Sequence, residues 1–169
     1  MSNDCKIILV DDNDKQIGVA EKIKCHLGQG ILHRAFSIFI FNKNKELLLQ
    51  KRAEGKMLWP LFWSNTCCSH PRENEDILNS AENRLKEEFG FACTLKLIGK
   101  FKYQANFKDI GSENELCYVF EGEYDGEVFP DKKEILDYKW IDMEDLKRDI
   151  KKNPENYTPW FKIEIEKFF

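Results

Sequence analysis

The chain has 169 residues, 42% of them hydrophobic and 13% aromatic, enough for a real core, and a single domain is expected from 1 to 169. Its formal charge of -4, its pI near 5.5 and the lack of any basic run exclude nucleic acid as the expected partner. No apolar stretch approaches the roughly 20 residues of a membrane span, and M-S-N-D-C-K at the start lacks the apolar core of a secretory signal, so the expected setting is cytoplasmic, off the membrane, with reduced cysteines.

Ile7 to Val10 reads as a strand, D-D-N-D-K as a turn and Gln16 to Lys22 as the returning strand of an opening hairpin. K-C-H-L-G-Q-G-I-L-H-R follows as a glycine-bearing loop with His26 and His33 near its ends. Ala35 to Phe41 is a strongly apolar strand, Asn42 to Lys45 a turn, and Glu46 to Arg52 the partner strand. Next comes W-P-L-F-W-S-N-T-C-C-S-H-P, whose aromatics suit a core. Its Cys67, Cys68 and His70, with Pro71 stopping regular continuation, place reactive groups where extended chain gives way to a turn.

Ile77, Leu78, Ala81, Leu85 and Phe89 recur at the spacing of one buried helical stripe. Asn74 is the expected N-cap, Glu75 and Asp76 suit the positive end, and Gly90 suits a left-handed C-terminal residue. Arg84 and Glu88, four apart, are neighbours on its polar side, and a weak surface ion pair would account for them. Leu95 to Tyr103 has strand character with a bulge expected at Gly99, and Asn106 to Ser112 is a polar loop. Glu113 to Glu121 reads as a strand with Glu113, Glu115, Cys117 and Val119 on one face. Ile135 to Ile141 is another strand, Asp142 with Asp145 opens a helix to about Lys152, and Thr158-Pro159 opens a last helix with Trp160 in its first turn. Hairpin-linked strands outnumbering helices give an α+β layered sandwich whose sheet is mixed or antiparallel.

His26, His33 and His70 all lie near element boundaries, where a lone histidine is usually a hydrogen-bonded structural residue. If the three converge on the two same-face glutamates, they make an N/O site of octahedral preference for Mn, Mg, Fe or Zn, unlike a thiolate-rich zinc cage.

S-N-T-C-C-S-H-P, the E-N-E of 113–115, the histidines of 26 and 33 and the late T-P-W together resemble the type I isopentenyl diphosphate isomerases of the Nudix superfamily, in order over nearly the whole chain. The resemblance implies a Nudix-like α/β/α sandwich with a mixed, mostly antiparallel sheet, and interconversion of isopentenyl and dimethylallyl diphosphate in isoprenoid biosynthesis. It implies one divalent ion, Mn or Mg ahead of Zn, on His26, His33, His70, Glu113 and Glu115, and a second Mg held by Glu88 with the substrate diphosphate. Cys68 maps to the catalytic thiol, Glu115 assisted by Tyr103 to the opposite proton-transfer group, and Trp160 to an aromatic lid. Arg84, with Lys22, Arg52 and Lys56 as further basic contacts, is implied to hold the diphosphate of this small-molecule substrate, although each of the last three could be an ordinary solvated side chain. The oligomeric state is left open.

The Nudix hydrolases are the natural competitor. Their pattern, G-x5-E-x7-R-E-U-x-E-E-x-G-U, aligns with Ser69, Glu75 and Glu87-Glu88-Phe89-Gly90, but Asn83 and Arg84 stand at the R-E pair. Hydrolysis needs carboxylates to hold water-activating metal ions, whereas a guanidinium suits holding the diphosphate itself. Two departures from the isomerase pattern concern the thiol: Ser69 replaces a common glycine, and Cys67 beside Cys68 makes two candidates. Alternation in extended chain lets only one of them face the substrate, and Cys68 is expected to be that one.

Overall fold

A computed structural model describes residues 6–169; Met1 to Cys5, most of the stretch weighed for a secretory signal, lie outside the described residues. The sheet is built around β3 (His33–Phe41), whose alternating apolar residues are buried on both faces. One edge of β3 pairs in parallel with β8 (Gly111–Glu123), from His33↔Glu115 to Phe41↔Glu123. Its other edge is divided among β1 (Lys6–Val10), β6 (Cys67–Ser69) and β4 (Leu47–Arg52). β2 (Gln16–Glu21) lies on β1, β7 (Leu95–Phe107) on β8, and both β5 (Trp63–Ser64) and β9 (Ile135–Ile141) on β4. These other pairings are antiparallel, so the sheet is mixed and mostly antiparallel, as the sequence led us to expect.

Two cores lie on opposite faces. On one, Ala35, Phe39, Leu47 and Leu49 meet Leu146 of α3 (Met143–Lys152) and Trp160, Phe161 and Ile165 of α4 (Pro159–Phe168). On the other, Phe36, Ile38 and Leu48 meet Ala81, Leu85 and Phe89 of α2 (Ile77–Phe89). Burying each of these large apolar side chains contributes about 1.5–3 kcal/mol, and the two covered faces make the α/β/α sandwich.

Local chemistry sets the element ends, with some changes from expectation. Asp76, not Asn74, caps α2 by accepting from Asn79 N at 3.0 Å. Asn74 is left-handed at φ 65°, and Glu75 turns back to accept from Arg72 N and Ser80 Oγ. Gly90 ends the helix at φ 76°, where a side chain would be strained. Asp142 caps α3 through Glu144 N and Asp145 N as expected; Thr158 precedes α4, but its hydroxyl pairs with Ser64 Oγ instead of capping. The expected bulge at Gly99 is present as a register shift between Leu97 and Gly99. The loop expected over Asn106 to Ser112 narrows to three residues, because β7 and β8 stay paired out to Phe107↔Gly111. Lys22 leaves the opening hairpin and begins a short helix, α1 (Lys22–His26), inside what reads locally as a loop. Among the described residues no helix is long and apolar enough to cross a membrane.

Candidate active site

The parallel pairing of β3 with β8 brings His33 directly beside Glu115, and period-two alternation puts Glu113 on the same face. α1 delivers His26, and the chain leaving β6 delivers His70. One ligand atom from each of these five residues lies within 4.8 Å of the others. His33 is fully buried, and His26, His70, Glu113 and Glu115 are 4–7% exposed.

The hydrogen-bond pattern tests whether the cluster fits a cation. His26 Nδ1 lies 2.6 Å from the Lys22 carbonyl and His33 Nδ1 lies 2.7 Å from the Ile31 carbonyl, so both rings donate there. In the neutral rings each Nε2 then keeps a lone pair. His26 Nε2 faces Glu113 Oε2 at 2.9 Å, and His33 Nε2 faces Glu115 Oε1 at 3.6 Å. Glu113 Oε2 and His33 Nε2 are buried without hydrogen-bond partners, which is the arrangement of ligands converging on a positive charge. Three imidazoles and two carboxylates are the donor set of a divalent N/O site, and the backbone carbonyls behind the rings fix their tautomers. Without an ion, burial disfavours charge on His26, but Glu113 outweighs it and raises its pKa; His70 is driven well below the usual range by burial, then by Lys22 and His33.

Glu115 has two neighbours of different kinds. Its Oε1 lies 2.9 Å from His70 Nε2, and its Oε2 accepts from the Tyr103 hydroxyl at 2.6 Å. Burial opposes its charge, but His33, Tyr103 and His26 outweigh burial and hold the carboxyl below its ordinary value. Burial, reinforced by the Glu115 and Glu113 charges, pushes the Tyr103 phenol well up, keeping it a neutral donor.

Cys68, Tyr103, Glu113, Glu115 and Trp160 line one cavity of about 570 Å³, together with His26, His70, Lys22, Arg52, Lys56 and Arg84. Every candidate residue except His33 and Glu88 reaches its surface; those two stand behind it, fully buried and 2% exposed. Arg52 Nη1 is 3.9 Å from Cys68 Sγ, while its Nε and Nη2 donate to the Trp59 and Leu58 carbonyls. Burial takes the Cys68 thiol up to about 12, against the pull of Arg52. Trp160 stacks its edge on Trp59 at 5.3 Å between centroids and lies 5.3 Å from the Arg52 guanidinium. Its Nε1 donates to Asn65 Oδ1 at 3.2 Å. Arg84 is no simple surface pair: its Nε meets Glu88, Nη1 meets Glu87 and Nη2 meets Glu134, each at 2.8 Å. Cys67 points to the opposite core, against α2, as alternation requires.

Three residues had no assigned role in the sequence. Lys133 and Glu134 belong to D-K-K-E before β9, which reads as a charged turn and becomes part of the cavity only when that turn packs beside α2. Asn65 lies inside the quoted S-N-T-C-C motif; besides accepting from Trp160 it donates to the Cys67 carbonyl at 2.7 Å, tying the indole to the strand that carries the two thiols.

The fold and this site define a Nudix-domain protein: the NUDIX domain model matches residues 31–161. Among solved structures, the DR0079 protein of Deinococcus radiodurans superposes with a TM-score of 0.81 at 15% identity, covering 97% of this chain and 99% of that one. A MutT protein from Methanosarcina mazei gives 0.68 at 19%, over 81% and 92%. These two likenesses establish the fold. Curated relatives are more specific. An isopentenyl-diphosphate Delta-isomerase of Aromatoleum aromaticum is 44% identical over 96% of this chain and 91% of its own length. One from Photorhabdus laumondii is 42% identical over 94% and 91%. The chain belongs to the isopentenyl-diphosphate Delta-isomerase family.

Proposed function

We propose that this protein interconverts isopentenyl and dimethylallyl diphosphate by adding a proton to the alkene on one face and removing one from the allylic carbon on the other, through a tertiary carbocation. The observation that supports the reading is that Cys68 and Glu115, the latter hydrogen-bonded to Tyr103, line one cavity, where they would act as the two proton-transfer groups. One gives a proton as the other takes one, so a turnover exchanges their protonation states. A cation formed between them must be kept from water. Trp160 presents an indole to this cavity, and a desolvated ring face stabilises such a charge by about 2 kcal/mol, roughly a thirtyfold effect on rate. Arg52 holds the wall around Cys68, and Asn65 holds the indole.

His26, His33, His70, Glu113 and Glu115 would hold a divalent ion, Mn or Mg ahead of Zn, and Glu88 would share a second Mg with the diphosphate. A bound ion would supply electrostatic stabilisation of negative charge and fix the carboxylate and imidazole orientations. Lys22, Arg52, Lys56 and Arg84 would bind the diphosphate, placing the alkene between the two proton-transfer groups. Hydrolysis is disfavoured by Arg84, a guanidinium standing where the hydrolase pattern has one of the carboxylates that hold water-activating metal ions.

Incubating isopentenyl diphosphate with the protein and Mg2+ in deuterated water tests this directly. Deuterium-labelled dimethylallyl diphosphate is expected. Release of phosphate would mark a hydrolase instead, and unchanged substrate would mark a binding protein.

A further inference from the structure

Glu134 stands one residue before β9 with its carboxylate on the same cavity as the cations assigned above to the diphosphate. Its Oε1 lies 2.8 Å from Arg84 Nη2, and its Oε2 is paired with Lys56 Nζ. Lys56 belongs to the loop after β4 and Arg84 to α2, so this one carboxylate bridges cations from separate elements. The main chain pins it in place: Glu134 N donates to Asp131 O and its carbonyl accepts from Ala53 N, each at 3.0 Å. The Glu134 and Arg84 side chains are 13% and 11% exposed. Burial works against the charge of Glu134, yet Lys56 and Arg84 outweigh it and hold the carboxyl down to about 2.

We propose that Glu134 is a resident competitor for the diphosphate, occupying donors of Lys56 and Arg84 in the free protein and reclaiming them as product leaves. The inference rests on the diphosphate reading of this wall. Substrate and product of an allylic isomerisation carry the same diphosphate, so the chemical step does nothing to loosen the anion. A wall of unopposed cations would hold both too long, and product release commonly limits turnover. A fixed carboxylate opposes the bound anion whether it is displaced or stays beside it, because competition and repulsion have the same sign. Glutamine at this position keeps the size and one acceptor and removes the charge.

The test is calorimetric binding of inorganic pyrophosphate in excess Mg2+ to the wild-type protein, Glu134→Gln and Lys56→Ala, with stopped-flow dissociation of dimethylallyl diphosphate. Glu134→Gln is expected to bind pyrophosphate about fivefold more tightly, chiefly through slower dissociation, which is the scale of one partly screened ion pair. Lys56→Ala is expected to bind it more weakly. Glu134→Gln binding equal to or weaker than wild type, with Lys56→Ala weakened, overturns the competitor alone and makes Glu134 inert or a positioning residue. Wild type that fails to bind pyrophosphate, or Lys56→Ala that binds it unchanged, overturns the diphosphate wall and the competitor together. Melting curves check folding, and Glu134→Asn serves in the same comparison should the glutamine variant fail to fold.

Discussion

Two adjacent thiols divide the work of β6 between its faces. Cys68 lines the cavity and Cys67 packs against Ala81 and Leu85 on the far core. Cys68→Ala is therefore expected to lower isomerisation by at least about a thousandfold, the scale of losing a general acid or base. Cys67→Ala should keep most activity and cost about 1 kcal/mol of stability, read from steady-state rates and denaturant unfolding; the reverse pattern would exchange their roles. Glu164 makes a different kind of residue-scale statement. It is fully buried on α4, one turn beyond Trp160, with Cys117 Sγ 4.0 Å from Oε1 and Oε2 unpartnered. Burial drives its pKa well above the ordinary carboxyl value, against the Ser37 hydrogen bond. Such a group is neutral in both states at low pH; as pH rises past the unfolded value near 4.5, the unfolded chain loses its proton first, so stability falls until the folded pKa is reached. Glu164→Gln should thus match wild type near pH 4 and exceed it increasingly from pH 5 to 8 in denaturant midpoints. A constant difference across that range would mean that the carboxyl is ionised in the folded protein.

At the scale of elements, the ends that local chemistry decides were legible and those that tertiary contact decides were not. β9 spans Ile135–Ile141 and α3 Met143–Lys152 behind Asp142, as alternation and capping alone indicate. α1 was not legible, because five residues hold barely one turn of periodicity and its role is fixed by what it touches. What it touches is β8. A Cβ built on Gly111 would lie 2.2 Å from the His26 carbonyl oxygen, a backbone atom that can yield only if α1 moves. Gly111→Ala is expected to displace His26 and lower Mn2+ affinity by about tenfold or more, the scale seen when support behind a ligand is lost. Gly18→Ala is the control, since its added Cβ would meet only the Leu9 side chain at 4.0 Å. Titration of both variants against a metal-sensitive chelator checks the point, and equal affinities would show that α1 absorbs the methyl without moving its histidine. The convergence of His33 with Glu115 was likewise hidden from spacing. The family resemblance placed both at one ion, but the physical cause is the parallel β3–β8 register, which joins residues 82 apart by a crossover that no local pattern records.

Across the whole molecule, the five donors link α1, β3, the chain after β6 and β8, so an ion there ties the opening hairpin, the central strand and the α2 connection to one point. Within this buried cluster Glu113 Oε2 and His33 Nε2 have no hydrogen-bond partner. A cation would satisfy those atoms only in the folded state, because the unfolded chain has no reason to gather residues 26 to 115. Binding free energy is then folding free energy. At a free ion concentration 100 times its dissociation constant the gain is about 2.7 kcal/mol, which for a chain of this size moves the melting midpoint by about 5–10 °C. Exhaustive EDTA treatment is expected to abolish isomerisation and lower the melting temperature together, and Mn2+ or Mg2+ to restore both over the same concentration range. The restoring concentration should rise as pH falls, since protons compete for the three imidazoles. Stability that returns without activity would place the chemical requirement at the second ion near Glu88, whereas full activity in a verified metal-free preparation would leave the five buried ligands without a catalytic purpose.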